Sequence, residues 1–275
     1  GVNGGLVVVA ADDPSMHSSQ NEQDSRFYAK FAMIPCFEPT NQQEAYEMTK
    51  EAFRLSEELR TPILLRVTTR MAHSRAVVET TDNTPVQNKM SLPENVQHFI
   101  LLPAFAKKNY AELVAAQPTF IQKSETSPFN SYTKGAHPER GIITTGIAYN
   151  YLMENYQPAM GCSILKVAQY PLPVALVNQM VADGAKEILV VEEGQPVVEE
   201  LIHGLVPSTI AVKGRLTGDL PRMGELTPDS VRRAIGLDAL PTRPADNMVV
   251  SRPPALCQGC GHRDVYGALV NIIEE

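Results

Sequence analysis

Gly141-Ile142-Ile143-Thr144-Thr145-Gly146 is a β-branched run that closes on glycine and passes at once into the helical pattern Ile147-Ala148-Tyr149-Asn150-Tyr151-Leu152. A strand that turns straight into a helix is half of a βα unit, and the alternation continues downstream. Cys162–Val167 reads as the next strand, Val174–Ala182 as a helix, 186–191 as a third strand, 196–204 as a helix and 209–213 as a fourth strand. Strands separated by helices of this length pair in parallel, so residues 141–215 are expected to form a parallel sheet with helices packed on it.

Upstream the same grammar recurs less regularly. Leu6-Val7-Val8-Val9-Ala10 is a continuous apolar run, the kind buried on both faces of a parallel sheet. After it, residues 12–26 are dense in hydrogen-bonding side chains: Asp12-Asp13-Pro14-Ser15-Met16-His17-Ser18-Ser19-Gln20-Asn21-Glu22-Gln23-Asp24-Ser25-Arg26. An aromatic segment through Phe27, Tyr28 and Phe31 leads to Ala32-Met33-Ile34-Pro35-Cys36-Phe37, which reads as another strand. Asn41 with Glu44 is a capping-box signature, and the helix it opens carries Ala45, Met48, Ala52, Leu55 and Leu59 on one stripe. Thr61-Pro62 ends that helix, and Ile63-Leu64-Leu65-Arg66-Val67 is the next strand. Over 75–140 the periodicity weakens, which suggests a long connecting arm with a short helix near 103–115; a second connector, 214–249, holds a helix near 228–235.

Composition bounds the function. The 275 residues are 43% apolar and 20% charged, a folded chain of about two domains. A net charge of −7 with no basic run argues against a nucleic-acid surface. No apolar run approaches the ~18 residues of a membrane span. Four cysteines without signal-like patterning fit a reducing cytoplasm better than a disulfide framework. The chain opens at Gly1 next to a strand and closes at Glu275 inside a helix pattern, so both ends are expected to cut through domains.

Near the end stands Arg252-Pro253-Pro254-Ala255-Leu256-Cys257-Gln258-Gly259-Cys260-Gly261-His262-Arg263, followed by an apolar helix pattern. Cys257 and Cys260 are spaced to point at one metal or at each other, and the glycines allow a tight turn around it. A tetrahedral metal or an iron–sulfur cluster needs four ligands, so this pair would open a site that other residues complete. Three readings stay open: a cluster ligand pair, a structural zinc or redox dithiol, and two reduced thiols packed at a helix start, with Val265, Leu269, Ile272 and Ile273 on its buried side.

Four of these stretches, residues 11–26, Leu64-Leu65-Arg66-Val67-Thr68-Thr69-Arg70, residues 141–149 and residues 252–263, resemble in the same order the large (alpha) subunit of indolepyruvate ferredoxin oxidoreductases. These are members of the thiamine-diphosphate-dependent 2-oxoacid:ferredoxin oxidoreductases. The resemblance covers essentially the whole chain, with 75–140 matched least distinctly. It implies an α/β parallel-sheet thiamine-diphosphate-binding fold: 1–80 as the C-terminal half of the pyrimidine-binding domain, 81–140 as the arm, 141–215 as a transketolase C-terminal-like domain, 216–249 as a linker and 250–275 as the start of the pyrophosphate-binding domain. The chemistry implied is oxidative decarboxylation of an aryl pyruvate to the aryl-acetyl-CoA and CO2 with reduction of ferredoxin. The implied cofactors are thiamine diphosphate, Mg2+ and a [4Fe-4S] cluster. The implied partners are a beta subunit, ferredoxin, coenzyme A and the 2-oxoacid, in a dimer of heterodimers. The glutamate that family members set against the aminopyrimidine is expected before Gly1, and the acidic-glycine Mg2+/diphosphate motif after Glu275, so no catalytic residue is assigned.

Ligands of open α/β sheets bind beyond the carboxyl ends of strands, and residues 12–26 directly follow one. Ser18, Ser19, Gln20 and Asn21 are therefore expected to face cofactor or 2-oxoacid, with His17 and Asp13 orienting them; the plainer reading is a loop that satisfies its own backbone. Arg70, and less so Arg66, is a candidate for the substrate carboxylate against the alternative of a surface ion pair. At the start of the last helix, Gly259 and His262 could contact the diphosphate. Gly146 reads as a βα turn, Cys36 and Cys162 as buried apolar side chains, and His73, His98, His137 and His203 as ordinary surface or packing histidines. The reading from a different class is a non-catalytic scaffold that uses Cys257 and Cys260 for zinc.

Overall fold

Hydrogen-bonded pairing sorts the strands into two sheets. A computed structural model describes residues 2–81, 92–241, 256 and 258–274, and the chain divides into a unit up to Ala239 and a second from Leu240. In the first sheet, β1 (Val7–Asp12), β3 (Ile63–Thr68) and β2 (Cys36–Phe37) run parallel, in the order β1-β3-β2, with Val7 opposite Ile63 and Asp12 opposite Thr68. A two-residue strand from later in the chain, β7 (Gln169–Tyr170), closes the far side antiparallel to β2. The second sheet has the order β4-β6-β5-β8-β9, built from β4 (Ser131–Thr133), β5 (His137–Thr145), β6 (Cys162–Val167), β8 (Glu187–Val191) and β9 (Ala211–Lys213). All of its pairings are parallel except that of β4 with β6.

Between β2 and β3 lies α2 (Gln42–Leu59), which buries Met48, Ala52 and Leu55 against Phe37, Ile63 and Leu65. Fully burying a side chain such as Met48 or Leu55 is worth roughly 1.5–3 kcal/mol, enough to fix which face of the helix meets the sheet. Asn41 caps α2 by accepting from the Glu44 amide at 2.9 Å, but Glu44 does not return the bond to Asn41. Its carboxylate accepts instead from the Thr40 amide and hydroxyl at 2.9 and 2.8 Å. On the second sheet, α5 (Ala148–Asn155) and α8 (Pro228–Ala234) pack one face through Ile142, Leu152, Leu189 and Val231. The opposite face is covered by α6 (Val174–Ala182) and α7 (Val197–His203) through Ile143, Val177, Met180, Val190, Val198 and Ile202. Cys36, Leu64 and Ala29 of the first layer join this last cluster, so the two sheets share a core.

β6 and β7 are consecutive, so one segment leaves the second sheet and enters the first through Ala168. Asn130 pins the corner: its Oδ1 accepts from the Ala168 and Gln169 amides at 2.7 and 2.9 Å, and its Nδ2 donates to the carbonyls of Ser124 and Gln169 at 2.9 Å each.

Several expectations need correction. Among the described residues β1 is an edge strand, and Val8 and Val9 are 42% and 64% exposed rather than buried on both faces. The run 32–37 is a strand only at Cys36–Phe37, because the aromatic segment before it forms α1 (Arg26–Ala32), whose Phe31 and Tyr28 point outward. The arm holds a helix far longer than expected, α4 (Pro103–Glu125). Pro118 lies inside α4, and the Gln117 side chain donates to the Leu113 carbonyl at 3.0 Å beside the gap in the ladder. In the second unit, α9 (Gly261–Glu274) forms as expected, but Val265, Leu269, Ile272 and Ile273 are all exposed.

Candidate functional site

β1 ends on two adjacent carboxylates that do different work. Asp13 folds the following loop back on itself: its Oδ2 accepts from the Ser18 and Ser19 amides at 2.8 and 2.9 Å, and its Oδ1 from the Thr69 hydroxyl at 2.7 Å. Burial alone would raise the Asp13 pKa, yet the Ser18 amide, the Thr69 hydroxyl and the Ser19 amide together hold it well below the usual carboxylate range. Ser15 and Met16 take left-handed backbone, at φ 69° and 52°, inside this turn. With its base tied, the loop presents Ser18, Gln20 and Asn21 to solvent and leaves Ser19 half-buried.

Asp12 faces inward instead. Its Oδ2 accepts from the Ser25 amide and hydroxyl at 2.8 and 3.0 Å and from Arg66 Nε at 2.5 Å. Arg66 is fully buried on β3; its Nη1 donates to Glu38 just after β2, and its Nη2 to the Glu193 carbonyl at 3.1 Å. A second buried guanidinium, Arg26, donates to Asp24, to Glu192 at 2.7 Å and to the carbonyls of Glu193 and Gln195 at 3.0 and 2.8 Å. Burial would raise the Asp24 carboxyl, but Arg26 and Arg66 bring it down to about 2. Tyr170 of β7 completes the cluster by donating to Glu38 at 2.7 Å.

This network sits where the second sheet would ordinarily hold a ligand. β5 is followed by α5 on one face and β8 by α7 on the other, so their carboxyl ends flank a topological switch point. Gly146, at φ 47°, lies so close to Glu38 that a Cβ would stand 2.5 Å from its Oε1. Gly194, at φ 95°, is equally close to Asp24 and Arg66. Charged side chains of the first layer pack against both glycines, so the cluster joins the two layers at this point. Sequence reasoning missed Arg26, Asp24, Glu38, Glu192 and Glu193; one signal it had was the charge of Arg66 inside an otherwise apolar strand.

On the other side of β8, Glu193 accepts from the Leu226 amide at 3.1 and 3.2 Å with its two oxygens. Burial pushes its carboxyl up to about 7, against the opposing pull of Arg215. The hydroxyls of Thr144, Thr145 and Tyr151 are buried with no hydrogen-bond partner among the described residues.

The candidate residues fall in two places. Arg70, on α3 (Thr69–His73), stands beside the Asp13 loop, half exposed, and pairs with Glu225 at 2.8 Å; His17 lies 3.1 Å from the same carboxylate oxygen. The loop and Arg70 are thus neighbours through Glu225, whereas Arg66 is enclosed in the ion network and cannot meet a substrate. In the second unit, Gly259 has φ 74°, and Cys260 Sγ lies 3.4 Å from His262 Nδ1. Cys257 lies outside the described residues, and no cluster of three metal-ligating side chains occurs among the described ones. Cys36 and Cys162 are buried, as expected.

No family model matches the chain. A solved 2-oxoglutarate:ferredoxin oxidoreductase from Magnetococcus marinus, with 2-oxoglutarate, coenzyme A and succinyl-CoA bound, shares the fold with a TM-score of 0.57 at 14% identity, over 83% of this chain and 48% of that one. The class is therefore the α/β thiamine-diphosphate-binding fold. Curated relatives named indolepyruvate oxidoreductase subunit IorA are 40% identical in Methanothermobacter marburgensis, over 97% of this chain, and 34% identical in Pyrococcus horikoshii, over 98%. The chain belongs to this IorA family, and it spans 44% and 45% of those two relatives, a little under half their length.

Proposed function

We propose that this chain is part of the large subunit of an indolepyruvate-type oxidoreductase that decarboxylates an aryl pyruvate oxidatively, with coenzyme A, to the aryl-acetyl-CoA and CO2 and passes the electrons to ferredoxin. A beta subunit, ferredoxin and a dimer of heterodimers belong to the same reading. Within it, 1–80 is the later half of a pyrimidine-binding domain, 81–140 the arm, 141–215 a transketolase C-terminal-like domain, 216–249 a linker and 250–275 the start of a pyrophosphate-binding domain. The observation that carries the reading is the Asp13-tied loop, which holds Ser18, Gln20 and Asn21 at the carboxyl edge of β1.

The described residues do not by themselves complete a site for Mg2+ or a [4Fe-4S] cluster. The carboxylates of Asp12 and Asp13 are engaged by internal donors, and no metal-ligating group of three converges among the described residues. The contribution of this chain is a wall. Asp13 sets the loop, Thr69 sets Asp13, and the buried arginine network keeps the strand ends in register with the second sheet.

The test uses the complete enzyme with its partner subunit. Phenylpyruvate- and coenzyme-A-dependent reduction of methyl viologen should require thiamine diphosphate, and the Gln20→Ala/Asn21→Ala variant should raise the phenylpyruvate KM or lower kcat about tenfold, one polar contact's worth. Unchanged kinetics remove the loop from the site. Visible absorbance after anaerobic iron–sulfur reconstitution, lost in Cys257→Ala, distinguishes a cluster from zinc at the thiol pair.

A further inference from the structure

Three segments meet at a single carboxylate. Glu225 Oε2 accepts from Arg70 Nη2 at 2.8 Å and lies 3.1 Å from His17 Nε2. Arg70 follows β3 and His17 follows β1, so both stand at the carboxyl edge of the first sheet; Glu225 arrives from the connector after β9. The side chain of Glu225 is 12% exposed, while those of Arg70 and His17 are 49% and 50% exposed. A guanidinium and an imidazole aimed at one oxygen form a seat for a carboxylate, and here the chain's own glutamate sits in it.

We propose that Arg70 and His17 form the seat for the substrate's carboxylate, and that Glu225 is an intramolecular competitor which sets how tightly a 2-oxoacid is held. The proposal rests on the reading of the chain as part of a 2-oxoacid oxidoreductase. Glu225 engages Arg70 through Nη2, and no other hydrogen bond of this guanidinium occurs among the described residues. A free carboxylate can use two oxygens on the guanidinium fork, so it gains a second charge-assisted bond that Glu225 does not make. Glu225 can leave the seat by side-chain rotation alone. The backbone that carries it is fastened independently: Ser15 Oγ accepts from the Glu225 amide at 2.7 Å, Glu22 Oε2 from the Gly224 amide at 2.9 Å, and the Glu193 carboxylate from the Leu226 amide. No covalent bond is made or broken in the exchange.

The alternative is that Glu225 positions Arg70 for substrate, and the sign of one measurement separates the two. In the complete enzyme, steady-state viologen reduction gives KM and kcat for phenylpyruvate. Competition requires that Glu225→Gln, which keeps the shape and removes the charge, lowers KM by about three- to tenfold. Arg70→Ala should raise KM by about tenfold or more. The double variant should lie close to Arg70→Ala, because without the guanidinium only the weaker His17 contact is left to compete for. Calorimetric titration of phenylpyruvate into the same variants without coenzyme A should follow the KM values, a response that a purely structural role would not produce. A raised or unmoved KM in Glu225→Gln, in an enzyme that turns over phenylpyruvate, overturns the seat alone. A wild-type enzyme inert toward aryl pyruvates overturns the functional reading, and the seat with it.

Discussion

Replacing Arg66 with methionine should be among the most damaging single changes in the first sheet. Methionine keeps a long flexible stem and deletes a guanidinium that is fully buried. The loss is shared unevenly. Asp12 loses Arg66 Nε at 2.5 Å but keeps the Ser25 amide and hydroxyl. Glu38 keeps the Tyr170 hydroxyl at 2.7 Å and an Arg26 nitrogen at 3.9 Å, and the Glu193 carbonyl keeps Arg26 at 3.0 Å. Breaking a buried ion pair from one side costs about 3–5 kcal/mol. Because no partner is left bare, the lower end applies, about 3 kcal/mol against a total of roughly 5–15 kcal/mol. At roughly 2–4 °C per kcal/mol for a chain of this size, Tm should fall by about 6–12 °C. The chain has no tryptophan, so urea and thermal unfolding are best followed by circular dichroism. Arg54→Met is the control: Arg54 bridges Glu51 at 2.5 Å and Glu58 at 2.8 Å with its side chain 57% exposed. An exposed pair of that kind contributes at most about 1 kcal/mol. Equal losses for the two variants would refute the claim that burial, rather than bridge geometry, decides the cost.

Three further outcomes follow from the same cluster and its edges. Glu193 keeps its proton up to about pH 7 when folded and releases it near 4.5 when unfolded, so its contribution is complete below 4.5 and is lost as pH rises through 7. Glu193→Gln should remove that decline and stabilise the chain at pH 8 by on the order of 3 kcal/mol at most, read by urea unfolding at pH 5 and pH 8. Asp24 has the opposite sign: its stabilisation is present above its unfolded value of 3.8 and is lost as pH falls towards 2, a window that Asp24→Asn should erase from an acid titration of the circular dichroism signal. Asn130→Ala frees the Ala168 and Gln169 amides at the corner where the chain changes sheets, and should cost about 2–6 kcal/mol in chemical unfolding, at 1–3 kcal/mol for each stranded group.

Four of the second sheet's five strands were legible as short apolar runs with a clear stop, and Cys162–Val167 and Val174–Ala182 fall where the pattern put them, whereas the three-residue β4 lay unread inside the arm. What failed were properties that belong to pairs of segments. Whether the valines of β1 are covered depends on the neighbour on its open side, which periodicity does not encode. β7 has two residues and exists only by pairing with β2. α4 buries only Phe120 and Ser124, so it carried almost no stripe, and Pro118 lies inside it just past the stretch read as helix. The Asp13 loop was found by its polar density and its place after a strand, whereas Glu225 was invisible, being more than 150 residues away from Arg70 in sequence.

The charged cluster at the carboxyl end of the second sheet bears on where the proposed ligand would sit. An open α/β sheet offers its binding site at the switch point, and here that point is taken by Glu38, Arg26 and Arg66 against Gly146 and Gly194. A substituent at either glycine would collide with the cluster and would also carry a positive φ, so the backbone on the second sheet is shaped to receive charged groups from the first. The second layer is thereby committed to holding the first. Exposed polar groups stand at the carboxyl edge of β1 and β3, where Asp13 and Thr69 hold the serine loop and where Arg70 and His17 share one carboxylate. If this division of labour is right, disrupting the cluster with Gly146→Ala should lower stability by at least about 1–2 kcal/mol, from the left-handed backbone alone. The phenylpyruvate KM of the enzyme that remains folded should then move far less than it does for Arg70→Ala. A variant that kept its stability and lost its substrate would place the binding site back between the sheets.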